Sequence, residues 1–136
     1  MRTEDGFKVI EIGTRLGGHR DYMYEKAFGI SISKNDLLNK LGIKISSIKK
    51  YKVQKYVSVL HIFAKKEGKI KKIIGLSKIE KLKSIDNIKQ LKKTGDSAKF
   101  AKNGGKAIFK IELSNYDRGS MLGDIRKIEE NLKIII

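Results

Sequence analysis

Apolar and polar positions alternate most regularly in residues 107–113. Phe109, Ile111 and Leu113 fall on one side of that run, and Lys110 and Glu112 on the other. A period of two predicts a strand with one buried face. Residues 117–132 carry the other period. Met121, Ile125, Ile128 and Leu132 recur at helical spacing and predict an amphipathic helix with one apolar stripe. Residues 134–136 then supply a short closing strand at the sheet edge. Earlier, 55–64 and 69–76 are strand-like runs. Lys65, Lys66, Glu67 and Gly68 separate them, which predicts a hairpin. Residues 77–84 suit a short helix and 87–93 a strand, while 94–105 are polar and glycine-containing and read as a loop.

The N-terminal part is organised differently. Residues 7–12 (FKVIEI) are apolar and β-branched and predict a buried strand. A glycine-rich turn follows over 13–18. Residues 20–28 predict a helix stopped by Gly29, and 34–41 a second one with Ser33 as N-cap and Gly42 as its stop. Residues 43–51 favour neither helix nor strand. The expected architecture is α+β: a strand–turn–helix unit over 1–45, then a small antiparallel sheet lobe over 46–136 with helices on one face. The strand at 7–12 has no partner in its own unit. A stable sheet needs three or more strands or a packed helix, so its partners come from the lobe or from a segment outside this chain.

Composition narrows the function classes. Thirty-one Lys and Arg against 15 Asp and Glu leave a net charge of +16 over 136 residues. Most of that charge is lysine, dispersed along the chain in pairs such as Lys49 and Lys50 or Lys92 and Lys93, as on solvated faces. Nucleic-acid modules concentrate arginine and interleave aromatics, so nucleic acid is not the expected partner. A small basic module that binds RNA or another polyanion through the 55–93 surface is the alternative reading. The absence of cysteine excludes disulfides and thiolate metal sites. No apolar run is long enough to span a bilayer. The first residues lack a basic stretch followed by an apolar one, so no secretory leader is expected and a cytoplasmic location is. His19 and His61 have no partner at metal-ligand spacing and read as ordinary polar residues. Tyr22, Tyr24 and Phe28 suit helix packing.

The chemistry-bearing stretch is 9–18. Glu11 stands near a strand end, where a rigid carboxylate can ligate Mg²⁺, a hard cation that prefers oxygen. Arg15 follows in the turn, and its planar fork can reach phosphoryl oxygens. Gly17 and Gly18 let backbone N–H groups approach an anion. An isolated pair at this spacing is usually a surface ion pair of little energetic weight, so the flanking strand and glycines carry the distinction.

This stretch resembles the end of the ATP-grasp catalytic domain, whose motif is glutamate, any residue, asparagine, any residue, arginine. Glu11 and Arg15 match it. Gly13 stands where asparagine is usual, so one metal ligand of the pattern is missing. The continuation through Leu16, Gly17, Gly18, His19 and Arg20 to Ala27, Phe28, Gly29 and Ile30 is similar to the same family. So is the order of later phrases, Glu67-Gly68-Lys69-Ile70, Lys93-Thr94-Gly95-Asp96 and the 107–113 strand before the 117–132 helix. These are similar to the small lobe of the L-amino-acid ligase and carnosine-synthase-like branch.

The resemblance implies an ATP- and Mg²⁺-dependent carboxylate–amine ligase working through an acyl phosphate. It implies Glu11 as Mg²⁺ ligand, and Arg15 as the catalytic group on the transferring phosphoryl. Gly17 and Gly18 would join Glu11 and Arg15 around the nucleotide phosphates, with His19 and Arg20 as weaker substrate contacts. Such an enzyme also needs a nucleotide-binding lobe that contributes to the sites for ATP, carboxylate and amine. The residues before Glu11 are too few for one. The expectation is therefore a C-terminal fragment or split subunit, inactive alone.

Overall fold

The computed structural model describes residues 2–3, 6–7, 17–45, 52–101 and 106–136. Two short strands, β1 (Arg2–Thr3) and β2 (Gly6–Phe7), pair antiparallel at the start. Of the strand expected over 7–12, Phe7 belongs to β2, and 8–12 lie outside the described residues. Two helices follow, α1 (Arg20–Phe28) and α2 (Ile32–Lys40). α1 ends where expected. Gly29 takes φ 72°, a left-handed conformation that costs glycine little, and its N–H donates to Glu25 O at 2.8 Å.

α2 starts earlier than the sequence suggested, and Ser31 replaces Ser33 as its N-cap. Ser31 is extended and its Oγ accepts the Lys34 N–H at 3.1 Å. Ser33 has another role: its N–H donates to Asp21 Oδ1 at 2.9 Å, and Ser31 Oγ donates to the same oxygen at 3.3 Å. One α1 carboxylate thus holds the first turn of α2.

The lobe that follows comprises β3 (Tyr56–Ile62), β4 (Gly68–Lys69), β5 (Lys72–Ile74), α3 (Leu76–Ile79), β6 (Ile85–Gln90), β7 (Ser97–Ala98), β8 (Phe109–Asn115), α4 (Arg118–Asn131) and β9 (Lys133–Ile135). The fold is α+β, and every pairing among the described residues is antiparallel. Its main sheet has the order β3-β8-β6. The expected hairpin between 55–64 and 69–76 does not form. β3 pairs with β8, β4 with β7 and β5 with β9. β8 alternates buried and half-buried positions along its length, so it takes the central place where both edges are bonded. Residues 69–76 divide into two short strands, and the loop expected over 94–105 contains β7.

The core lies on one side of this sheet. Phe109, Ile111 and Leu113 of β8 are fully buried against Met121 and Ile128 of α4, Ile79 of α3, Ile70 and Leu132. Asp117 caps α4, its carboxylate accepting the Ser120 N–H at 2.6 Å. The expected stripe is present, with Ile125 partly buried at its margin. Gly75 is required where it stands: φ is 90°, and a Cβ would lie 2.1 Å from Asn131 O at the end of α4. α3 therefore begins in direct contact with the α4 backbone.

A polar staple completes this side. Asp124 is buried on α4, and its Oδ2 accepts from Ser84 N at 3.1 Å and Ser84 Oγ at 2.7 Å. Ser84 Oγ in turn accepts from Asn115 Nδ2 at 2.9 Å. Burial works against the Asp124 charge. The Ser84 hydrogen bonds and nearby Lys127 outweigh it and hold the carboxyl below its ordinary range.

Candidate functional site

The other face of the sheet is polar. Because alternate residues point to opposite faces, the register that sends Phe109, Ile111 and Leu113 to the core sends Lys110 and Glu112 outward. Opposite them in β3 stand His61 and Val59; opposite them in β6 stand Lys89 and Asn87. Lys110 and Glu112 form an ion pair, and Asn87 Nδ2 donates to Glu112 Oε2 at 3.1 Å. A register shift between Ile85 and Asn87 marks a bulge at Asp86. The Asp86 carboxylate accepts the Ser114 hydroxyl at 2.7 Å, on the same sheet.

α1 lies on this polar face. The Tyr22 hydroxyl donates to Asp86 Oδ2 at 2.9 Å, and Lys26 Nζ stands 3.6 Å from the same oxygen. Burial raises the Tyr22 phenol well above its usual range, and the bond to Asp86 reinforces this, so Tyr22 remains a neutral donor. Gln54 N donates to Ala27 O at 2.7 Å, tying the chain just before β3 to the end of α1. Neither α1 nor α2 buries a residue completely. Leu37 (58% exposed), Leu41 (64%) and Ile43 (50%) stand out on or just after α2.

The candidate residues of the sequence lie at the start of α1. Gly17 and Gly18 form the turn, and the Arg20 N–H donates to Gly17 O at 3.1 Å. A Cβ on Gly18 would meet nothing within 4 Å, so this turn is open on that side; one on Gly17 would stand 3.1 Å from Arg20 Nε. His19 occupies the N-cap but makes no side-chain capping bond. Its ring instead meets the His61 ring edge-on, with centroids 4.7 Å apart. Arg20 is exposed and folds back over Gly17. Glu11 and Arg15 lie outside the described residues, as does Gly13. Among the described residues, no group of three or more His, Cys, Asp or Glu is placed to hold a metal.

A cleft of about 460 Å³ opens elsewhere. It runs from the end of β3 to the end of α4 and β9, and His61, Lys65, Ile128, Glu129 and Lys133 are among its lining. None of residues 17–20 lines it, but it shares His61 with the His19 contact. Sequence reasoning missed both the Tyr22–Asp86 hydrogen bond and the His19–His61 contact. The one available signal was the alternation that turned Lys110 and Glu112 away from the core.

Among the solved structures it resembles, the chain aligns with an L-amino acid ligase from Bacillus licheniformis over 97% of its own length, with a TM-score of 0.80 and 21% sequence identity. The fold is ATP-grasp-like. The chain spans 33% of that ligase, so two thirds of the larger protein has no counterpart here. No family model and no curated protein matches the sequence. Among the described residues, no helix is long and apolar enough to cross a membrane.

Proposed function

We propose that this chain is one part of an ATP-dependent carboxylate–amine ligase, and that it contributes Glu11, Arg15 and the turn at Gly17 and Gly18 to a site completed by a nucleotide-binding lobe. The observation that carries this reading is the ATP-grasp-like fold, extending over nearly all of this chain yet over only 33% of an L-amino acid ligase. The order of motifs agrees with it. The segment with Glu11 and Arg15 directly precedes the turn that leads into α1, which the sheet lobe then supports from below.

The donor chemistry fits the implied groups. A carboxylate such as Glu11 is a hard oxygen ligand for Mg²⁺. A guanidinium such as Arg15 pairs with phosphoryl oxygens. Bound Mg²⁺ would neutralise phosphate charge. In the overall reaction a substrate carboxylate oxygen takes the γ-phosphoryl of ATP and ADP leaves. The amine nitrogen then bonds to the acyl carbon, loses a proton, and inorganic phosphate departs. Arg15 would stabilise charge on the phosphoryl, and the glycine turn would admit the anion. With Gly13 in the usual asparagine position, Glu11 carries the metal contact of this segment. The pairing of units 1–45 and 46–136 gives the strand–turn–helix part the chemistry and the lobe the support.

Expression of the chain together with its upstream coding sequence tests this. The product should release ADP only with Mg²⁺, a carboxylate and an amine. Glu11→Gln and Arg15→Ala should each lower the rate by about 10²-fold or more. Micromolar ATP binding by the isolated chain, or absence of substrate-dependent ADP release from the longer product, would overturn the proposal.

A further inference from the structure

His19 caps α1 without using its side chain for the cap. The ring leaves the helix end and lies edge-on to His61, at an interplanar angle of 74°. Its Nδ1 is buried and has no hydrogen-bond partner. The groups around this contact are unevenly charged. β3 supplies His61. β8 supplies Lys110 and Glu112. β6 supplies Asp86 and, beside Lys110, Lys89. α1 itself adds Arg20, Asp21 and Lys26.

The carboxylates in this set are already engaged. Glu112 holds Lys110 and Asn87. Asp86 holds Tyr22, Ser114 and Lys26. Asp21 holds Ser31 and Ser33. A proton added to His19 would therefore place a cation against His61 and Lys110. It would do so at the end of a helix whose dipole is itself positive, and would leave a buried N–H in need of an acceptor.

We propose that the contact between His19 and His61 is a pH-sensitive latch: with the His19 ring neutral α1 rests on the sheet, and protonation of His19 releases α1 and the turn at Gly17 and Gly18 from it. Release is local, because α1 buries no residue completely and is otherwise tethered by Tyr22, Lys26 and the backbone bond from Gln54. The latch is independent of the ligase reading, since it uses contacts within this chain.

The direction of the pH effect follows from the surroundings of His19. Burial, then Lys110 and His61, lower its affinity for a proton below the ordinary 6.5, and Glu112 opposes them. Docked α1 thus favours the neutral ring. Docking is at full strength above 6.5, weakens as pH falls towards the lower value of the docked state, and levels off once both states are protonated.

Hydrogen exchange of the α1 amides in the full chain, corrected for intrinsic rates, tests this at about pH 7.5 and about pH 5. Protection of α1 should be lost progressively at the lower pH while β8 is unchanged, because the released ring takes up a proton more readily than the docked one. The His19 ring, followed by NMR, should titrate below 6.5. Lys110→Gln should move that midpoint up, and His19→Gln should make α1 protection independent of pH. The latch is overturned if native α1 is equally protected at both pH values, if His19→Gln keeps the native pH dependence, or if His19 titrates at 6.5 or above. Should His19→Gln leave α1 unprotected at both pH values, the native His19 midpoint and its movement in Lys110→Gln decide.

Discussion

The two faces of the β3-β8-β6 sheet are each covered by a helix, but by different physics. On one face α4 presents Met121 and Ile128 to Phe109, Ile111 and Leu113, all buried. On the other, α1 presents His19, Tyr22 and Lys26 to His61, Asp86 and the Lys110–Glu112 pair, with no residue of α1 fully buried. Apolar cover is non-directional, insensitive to pH and proportional to area, so it supplies the stability of the lobe. Polar cover is directional and is offset by desolvation, so it determines position more than stability. The helix nearer the candidate chemistry is thus the one held by contacts that small changes can alter.

The largest effect should come from the apolar face. Phe109→Ala should cost about 3–5 kcal/mol, read as a drop in the urea midpoint of the whole chain. Loss confined to α1 would break the distinction between the faces. The next should come from the polar staple beneath the core. Asp124→Ala leaves the buried Ser84 donors without their acceptor and should cost about 1–3 kcal/mol. Because the folded state holds the Asp124 carboxyl below its ordinary 3.8, its contribution is present above 3.8 and lost as pH falls through the lower folded value. Asp124→Ala should therefore flatten the acid limb of a stability–pH curve, and an unchanged limb would assign that role to other carboxylates.

Smaller effects should come from the α1 face. Tyr22→Phe removes one hydrogen bond to Asp86 and should cost about 0.5–1.5 kcal/mol, seen as faster hydrogen exchange in α1 with β8 unaffected. A global loss of that size instead would mean that α1 and the lobe unfold together. The smallest should be Leu41→Ser on the exposed end of α2, within about 0.5 kcal/mol in either direction in the isolated chain. A clear destabilisation or loss of self-association there would show that this apolar position is covered in solution.

Part of this was legible in the order of residues. The alternation at 109–113 reports which side of β8 is buried, because a strand has a period of two whatever its partners. The stripe from Met121 to Leu132 and the glycine stop after Phe28 report helices for equally local reasons. The α+β class and the ATP-grasp resemblance followed from such local patterns in their order. Strand partners did not. β3 was expected to pair with its neighbour in sequence but bonds instead to β8, because pairing depends on which apolar faces meet in space, and that is a non-local choice.

The candidate site divides the same way. The sequence alone suggested anion chemistry for Arg15, Gly17 and Gly18, since glycine and arginine carry that capacity wherever they stand, and named His19 and Arg20 only as weaker substrate contacts. That His19 turns its ring onto His61, and that Tyr22, Lys26 and Ser114 converge on Asp86, was decided by the tertiary structure. Those partners are distant along the chain, and only the register of β3, β6 and β8 and the docking of α1 bring them together. What the sequence determines alone is the capacity of each segment: its period, its stops and its charges. What the folded chain decides is which of those charges meet, because contact distance and burial are properties of the packed molecule.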